Sequence, residues 1–337
     1  MRGKGLALDE NMKKRVVFAL AVLLSVSVQA GYLDSPKAKA FADRMVAEHG
    51  FDRGEIDALL DNAEKKQSII DAMERPAEKV KPWKDYRKIF ITEKRITEGV
   101  DFWRHNREAL KLASRQYNVA PEVIVAIIGV ETFYGRIKGG FRVIDALSTL
   151  SFDYPPRSAF FTRQLEEFLL LAREQRQDPL KLTGSYAGAM GYGQFIPSSY
   201  RSFAVDFDGD GFADIWDNRS DAIGSVANYF AKHGWVMNEP VVARARAEGD
   251  LDNTLLNKLA LDKTLAEWSQ LGIQVEDKLP ADSKALPFTL EAEDGEQLWL
   301  GLNNFYVITR YNRSTMYAMA VHQLSQLILE RVGESNL

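Results

Sequence analysis

The apolar positions of this chain fall into three patterns, and each predicts a different kind of element. Over 35–75 they recur at helical spacing, as in "PKAKAFADRMVAEHG" and "RGEIDALLDNAEKKQSIIDAM". Such stripes predict short amphipathic helices, with Gly50 as a stop. A loop with Pro76 and Pro82 follows, and "RITEGVDFWRHNREALKLASRQY" at 95–117 predicts one long charged helix. Similar stripes predict helices over 158–175, over 220–235 with Ser220 as N-cap, and over 314–332. Glu166 and Glu167, midway along 158–175, read as a solvated face. The second pattern is alternation. Between 240 and 303, "PVVARARA" and "FTLEAEDGEQLWLGL" lie among Gly and Pro turns and predict strands around one short helix. "NFYVITRYN" then returns to the main body. The fold class expected is mainly α with a small β domain: an N-terminal helical region at 31–85, a body at 86–238 plus 304–334, and a β-containing insertion at 239–303.

The third pattern is the unbroken apolar run, and there are two. "VVFALAVLLSVSV" follows Lys13, Lys14 and Arg15 and gives way to "QA" at Ala30. A basic start, a short apolar stretch and small residues at the end describe a secretory signal peptide over 1–30, cleaved near Ala30/Gly31. The competing reading is a membrane anchor, but thirteen residues are short for a bilayer. The other run, "VIVAIIGV" at 123–130, follows Pro121, which opens its helix at the first turn, and leads directly into Glu131. Burying a carboxylate is costly unless it is paired or protonated. Two readings of Glu131 stand: a helix-end ion pair with Arg136, or a proton donor whose pKa is raised by its surroundings.

Composition narrows the setting. The 337 residues, 27% charged and 46% hydrophobic, fit a soluble globular chain of about two domains or one composite. The net charge of −4 offers no basic excess, so nucleic acid is not an expected partner. Residues 1–30 hold five basic and two acidic groups; removing their net +3 leaves about −7 for the rest. There is no cysteine, so no disulfide and no lipid on a processed cysteine. A soluble protein of a bacterial periplasm, without a lipid anchor, is expected.

Two further stretches carry chemistry. In "DFDGDGFADIWD", Asp206, Asp208 and Asp210 take positions 1, 3 and 5 of an EF-hand loop, and Gly211 takes position 6. Phe212 would give a backbone carbonyl at position 7, Asp214 fills position 9, and Asp217 fills position 12 in place of the usual Glu. Five carboxylates in twelve residues repel one another unless a cation sits between them, so a structural Ca²⁺ is expected; a solvated acidic turn is the alternative. "GSYAGAMGYGQFIPSSY" alternates small and aromatic residues, which lets backbone approach a ligand closely or simply makes a tight turn. The four histidines are scattered without metal-ligand spacing, and no nucleophile elbow, Walker loop or dinucleotide fingerprint occurs. No organic cofactor is expected.

Together "GVETFYGR", "SYAGAMGYGQFIPSSY" and "DFDGDGFADIWD" followed by "DAIGSVANYFAKHGW" resemble the membrane-bound lytic murein transglycosylase B family. The resemblance implies a lysozyme-like α+β catalytic core. It implies cleavage of the β-1,4 bond between N-acetylmuramic acid and N-acetylglucosamine in peptidoglycan strands without water, leaving a 1,6-anhydro product. Glu131 would be the single acid, then base. Ser185, Met190, Gln194, Phe195, Tyr229, Tyr311, Asn312, Tyr317 and Tyr86 would line the saccharide groove. The family's paired arginines for the stem peptide read here as Pro156–Arg157, leaving Arg157 alone. Inhibition by a bulgecin-like sugar mimic is expected, with peptidoglycan synthases or periplasmic scaffolds as protein partners. The alternatives are a lysozyme-type hydrolase using the same Glu131 and a non-catalytic peptidoglycan-binding protein.

Overall fold

The computed structural model describes residues 31–74, 81–249 and 251–334. The expected signal peptide, residues 1–30, lies outside the described residues. Three helices come first: α1 (Pro36–His49), α2 (Arg53–Asn62) and α3 (Gln67–Glu74). Side chains of Ser35 and Asp52 cap α1 and α2, and Gly50 ends α1 in the left-handed conformation.

Next come α4 (Trp83–Phe90), α5 (Glu93–His105), α6 (Arg107–Tyr117) and α7 (Pro121–Thr132). The single helix expected over 95–117 is thus two. Asn106 separates them by turning its side-chain amide back onto the Phe102 carbonyl at 2.7 Å. Asn competes for backbone acceptors in this way, but leaves a weaker mark in sequence than Gly or Pro. Every residue from Val123 to Val130 in α7 is buried. A helix apolar all round belongs at the centre, and α5, α6, α11 (Arg219–Lys232) and α14 (Thr315–Glu334) pack around it.

Strand β1 (Phe141–Arg142) pairs with β2 (Thr183–Gly184), bracketing α8 (Val143–Phe152) and α9 (Ser158–Glu174); α10 (Pro197–Phe203) follows. Glu166 and Glu167 are more than a solvated face. Glu166 pairs with Arg44 and His49, each at 2.9 Å, and Glu167 pairs with Arg201 at 2.5 Å. The N-cap of α11 is Asn218 rather than Ser220; its side chain accepts the Ser220 amide at 2.9 Å.

The strands β3 (Val242–Ala247), β4 (Lys263–Thr264), β5 (Ile273–Val275), β6 (Lys284–Ala292) and β7 (Gly295–Gly301) form one antiparallel sheet in the order β4-β6-β7-β3-β5. Leu286, Phe288 and Leu290 of β6 join the main core, where Phe288 stacks on Phe305 of α13 (Asn303–Tyr311) with centroids 4.6 Å apart. Ala285, Leu300 and Ile273 instead build a second, small core with Leu265 and Trp268 of α12 (Leu265–Gln270).

Candidate active site

Helix α7 ends in a strained turn. Phe133, Tyr134 and Gly135 have φ of 51°, 60° and 90°, and the first two are non-glycine residues in the left-handed region. Several contacts hold them there. The Tyr134 ring folds back against Gly129, where an added Cβ would lie 2.6 Å from the ring. Its hydroxyl donates to the Arg95 carbonyl at 2.8 Å. Arg95, itself buried, donates to the Gly129 carbonyl at 2.5 Å and lies over the Phe133 ring at 4.4 Å. The buried Thr132 hydroxyl donates to the Tyr192 carbonyl at 2.9 Å and accepts the Gly135 amide at 3.0 Å. Glu131 therefore sits on a fixed frame.

Burial raises the Glu131 carboxyl to about 7, and a hydrogen bond from Tyr317 lowers it in part. That bond runs from the Tyr317 hydroxyl to Glu131 Oε1 at 2.5 Å. Protein atoms crowd the carboxyl without sealing it, since Glu131 keeps a partly exposed surface. Burial, then the charge at Glu131, also raises the hydroxyls of Tyr86, Tyr311 and Tyr317, so all three surround one carboxyl. Arg136 pairs with Glu98, not with Glu131. Among the described residues, no second carboxylate acts on Glu131 by charge or hydrogen bond.

An aromatic wall continues from this carboxyl. Tyr311 donates to the Gly193 carbonyl at 2.5 Å, and Tyr229 donates to the Arg310 carbonyl at 2.7 Å. Their rings meet at 4.7 Å, and Phe195 lies 5.9 Å from Tyr229 and 6.0 Å from Tyr311. Met190 and Phe195 exchange backbone bonds of 2.9 and 3.0 Å, closing the glycine-rich turn between them. Gly191 must be glycine there: its φ is 68°, and a Cβ would stand 2.3 Å from the Ile215 carbonyl oxygen. Gln194, also at positive φ, donates to the Gly191 carbonyl at 3.0 Å and the Lys138 carbonyl at 3.1 Å. The Ser185 hydroxyl accepts the Ala189 amide at 3.1 Å.

The acidic loop abuts this turn. The Tyr192 amide donates to the Ile215 carbonyl at 2.9 Å, and Lys138 pairs with Asp217 at 2.9 Å. A run of hydrogen bonds therefore links the loop, through Tyr192 and Thr132, to the residue beside Glu131. Carboxylate oxygens of Asp206, Asp208, Asp210 and Asp221 all lie within 4.8 Å of one another. Asp214 and Asp217 stand outside that group: Asp214 accepts the Trp216 and Asp217 amides at 2.9 and 3.0 Å, and Asp217 turns to Lys138. The Phe212 carbonyl accepts the Asp214 amide at 2.9 Å. The fourth carboxylate is supplied by the first turn of α11, not by position 12 of the loop. Burial pushes Asp221 up to about 6, and the Asp208 charge adds to the rise. Crowded, oxygen-only donors of this kind suit a hard divalent cation.

The family described as transglycosylase SLT domain matches residues 34–326. The chain is 46% identical over 306 residues to membrane-bound lytic murein transglycosylase B of Escherichia coli K12, covering 88% of this chain and 84% of that protein. The chain belongs to the transglycosylase SLT-domain family. It is an enzyme of the lytic transglycosylase type, mainly α with a small antiparallel sheet and a lysozyme-like core. Catenated lytic transglycosylase SltB1 of Pseudomonas aeruginosa is 52% identical with a TM-score of 0.87, covering 89% of this chain and 99% of that one. Escherichia coli lytic transglycosylase SLT35, solved in complexes with calcium and with bulgecin A, is 44% identical with a TM-score of 0.82, covering 91% and 98%.

In this transglycosylase the fold gathers Glu131, Tyr86, Tyr311 and Tyr317 at one point and places Met190, Gln194, Phe195 and Tyr229 beside them. Two further residues implied by resemblance are exposed. Arg157 is exposed and lies over Phe160 at 4.5 Å, and Asn312 is an exposed residue ending α13. Sequence reasoning missed Arg95, Thr132, Tyr134 and Asp221. Arg95 sits in a charged helix and reads as solvent-facing. Asp221 falls beyond the twelve-residue loop window.

Proposed function

We propose that Glu131 cuts the glycosidic bond between N-acetylmuramic acid and N-acetylglucosamine in peptidoglycan, acting as acid and then base. The single observation that carries this is a partly accessible carboxyl whose pKa burial raises to about 7, with no second carboxylate acting on it among the described residues. A group with that pKa holds its proton at neutral pH often enough to give it away. Protonated Glu131 donates to the glycosidic oxygen as the C1–O bond breaks. A water-using retaining enzyme needs a second carboxylate about 5 Å away to cover C1. Here the substrate's own 2-acetamido oxygen covers C1 instead. The muramyl 6-hydroxyl then attacks C1, its proton returns to Glu131, and a 1,6-anhydro end is left. No water is consumed and the acid is regenerated. Tyr317 fixes the carboxyl's orientation. Phe195, Tyr229, Tyr311 and Tyr86 offer faces for sugar rings, with Ser185 and Gln194 as neutral hydrogen-bonding groups.

Calcium at Asp206, Asp208, Asp210 and Asp221 serves this site indirectly. The ion would hold the loop whose Ile215 carbonyl anchors Tyr192, and Tyr192 anchors Thr132. The calcium complex of SLT35 supports the choice of metal. The secretory signal read over 1–30 supports a periplasmic location, where peptidoglycan lies. Digestion of purified sacculi tests the chemistry. The expected products are anhydro ends read by mass, and Glu131→Gln is expected to lose about 10²–10⁴ in rate while still binding sacculi. Reducing ends would make the enzyme a hydrolase, and undiminished activity of the variant would remove Glu131 from the mechanism.

A further inference from the structure

Helix α7 ends against a cation from another helix. Its own last turn holds no basic residue. Arg95 of α5 reaches across instead and donates to the Gly129 carbonyl at 2.5 Å. Among the described residues that carbonyl otherwise receives only the Phe133 amide beyond the helix, at 3.1 Å. A cation at this end suits the negative pole of the helix dipole. Yet Arg95 is only 9% exposed, and among the described residues no carboxylate pairs with it; Glu98 pairs with Arg136. Its Nε is buried without a hydrogen bond. Burying a cation is costly. What offsets the cost here, besides Gly129, is aromatic: the guanidinium carbon lies 4.4 Å from the centre of the Phe133 ring and 5.3 Å from that of Phe90.

These contacts are the middle of a longer line. Tyr86 and Phe90, one turn apart on α4, have ring centres 5.2 Å apart. Arg95 comes next, then Phe133, then Arg136, 4.3 Å from the Phe133 ring. The line therefore starts at Tyr86, whose hydroxyl is raised by burial and then by the charge at Glu131. It finishes on the turn that follows Glu131 in the chain. Phe133 stands there at φ 51°, a conformation that persists only where its surroundings enforce it. Methionine would fill the place of Arg95 without burying a charge. It would neither bond the Gly129 carbonyl nor lay a charged plane on a ring.

We propose that Arg95 is a positioning residue for the reaction, holding the turn after Glu131 and the helix that carries Tyr86 in one register through the Phe133 and Phe90 rings. It acts through those rings and not on the substrate. The inference rests on the reading above that Glu131 is the acid and then the base. A carboxyl that swings aside loses its line to the glycosidic oxygen, and a misplacement of about 1 Å can cost about 10² in rate.

Three substitutions test it, all of which leave the Arg95 carbonyl in place to accept the Tyr134 hydroxyl. Arg95→Met removes charge and plane. Arg95→Lys keeps the charge and a donor for Gly129 but not the plane. Phe133→Leu removes the ring and spares the Arg95 bond. Each is read for kcat and KM on solubilised glycan strands, for the alkaline midpoint of the rate, and for Tm. Arg95→Met and Phe133→Leu are each expected to lower kcat about tenfold, with KM within about threefold. The midpoint should move up by about half a pH unit as Glu131 tilts away from the Tyr317 hydroxyl. The double variant should be no more than about twofold slower than either, because both changes break the same line. Arg95→Lys should regain most of the Tm lost in Arg95→Met while its kcat stays low. Recovery of kcat along with Tm, losses that multiply in the double variant, or a lowered Tm with an unmoved midpoint would each reduce Arg95 to a structural anchor and overturn the proposal. Should the Arg95 variants fail to fold, Phe133→Leu decides: a loss of about tenfold in kcat at near-normal Tm upholds the proposal, and full kcat overturns it. Glu131→Gln at full rate sinks the reading of Glu131 and the positioning role together. Glu131→Gln inert, with the three variants at full rate, sinks the positioning role alone.

Discussion

One carboxyl sets the pH behaviour. Burial lifts Glu131 to about 7, so the proton-donating form dominates below that pH and is lost as pH rises through it. The rate on glycan is therefore expected to fall on the alkaline side with a midpoint near 7. Tyr317 opposes burial: its hydroxyl donates to Oε1 and favours the ionised form. Removing that donor in Tyr317→Phe takes away a charge-assisted bond and should move the alkaline midpoint up by roughly one pH unit. A pH–rate profile of the variant checks this, and a midpoint that stays put or moves down would show that Tyr317 does not hold the carboxyl in solution. The sequence carried half of this arrangement. Glu131 is visible because an apolar run ends on it. Tyr317 lies 186 residues away, and periodicity cannot bring it there; resemblance to a family named it, and geometry shows what it does.

The elements around that carboxyl are held by close approach and by charge. Gly129 lets the Tyr134 ring lie on α7, and its replacement by alanine drives a Cβ to 2.6 Å from that ring. The turn carrying Phe133 and Tyr134 must shift, since the ring is wedged and cannot swing aside. Gly129→Ala is expected to cost about 1–3 kcal/mol in urea unfolding and to lower kcat, as overpacking in a full core does. The acidic loop is the second device. Chelation should lower the Tm, and added Ca²⁺ at about 100 times its Kd should restore about 2.7 kcal/mol. Asp221→Asn, although outside the twelve-residue loop, should abolish that Ca²⁺ response, whereas Asp217→Asn should leave most of it. The reverse ranking would return the fourth ligand to position 12. The spacing of aspartates up to Asp210 was legible because a sharp turn and alternate ligands demand it. Asp221 was not, because a helix start rather than the loop delivers it. Asn106 hid the α5–α6 break in the same way: one side-chain bond to Phe102 ends a helix whose apolar spacing runs on.

At the scale of the whole molecule, the question is whether the sheet is a separate body. Alternation in "FTLEAEDGEQLWLGL" predicts strands but not what the inward face of the first one meets. That face, Leu286, Phe288 and Leu290, enters the same core as α7 and α14. The other side covers a core of few residues around Trp268, too small to be stable on its own. The β6–β7 hairpin also holds α4, through Lys84 to Glu291 at 2.7 Å and Lys88 to Glu293 at 2.8 Å, and α4 carries Tyr86. Exposed ion pairs add little energy, so Phe288 stacked on Phe305 is the principal fastening. Sheet and helices should therefore unfold together, in one calorimetric transition, with the calorimetric and van't Hoff enthalpies agreeing. Phe288→Ala leaves a cavity at that joint and should destabilise the transition by about 3–5 kcal/mol. It should also loosen α4 and lower activity through Tyr86, with Glu131 and its alkaline midpoint little changed. A separate low-temperature transition for the sheet in the unaltered protein, or a Phe288→Ala variant of unaltered Tm, would show that the insertion is only appended to the catalytic body.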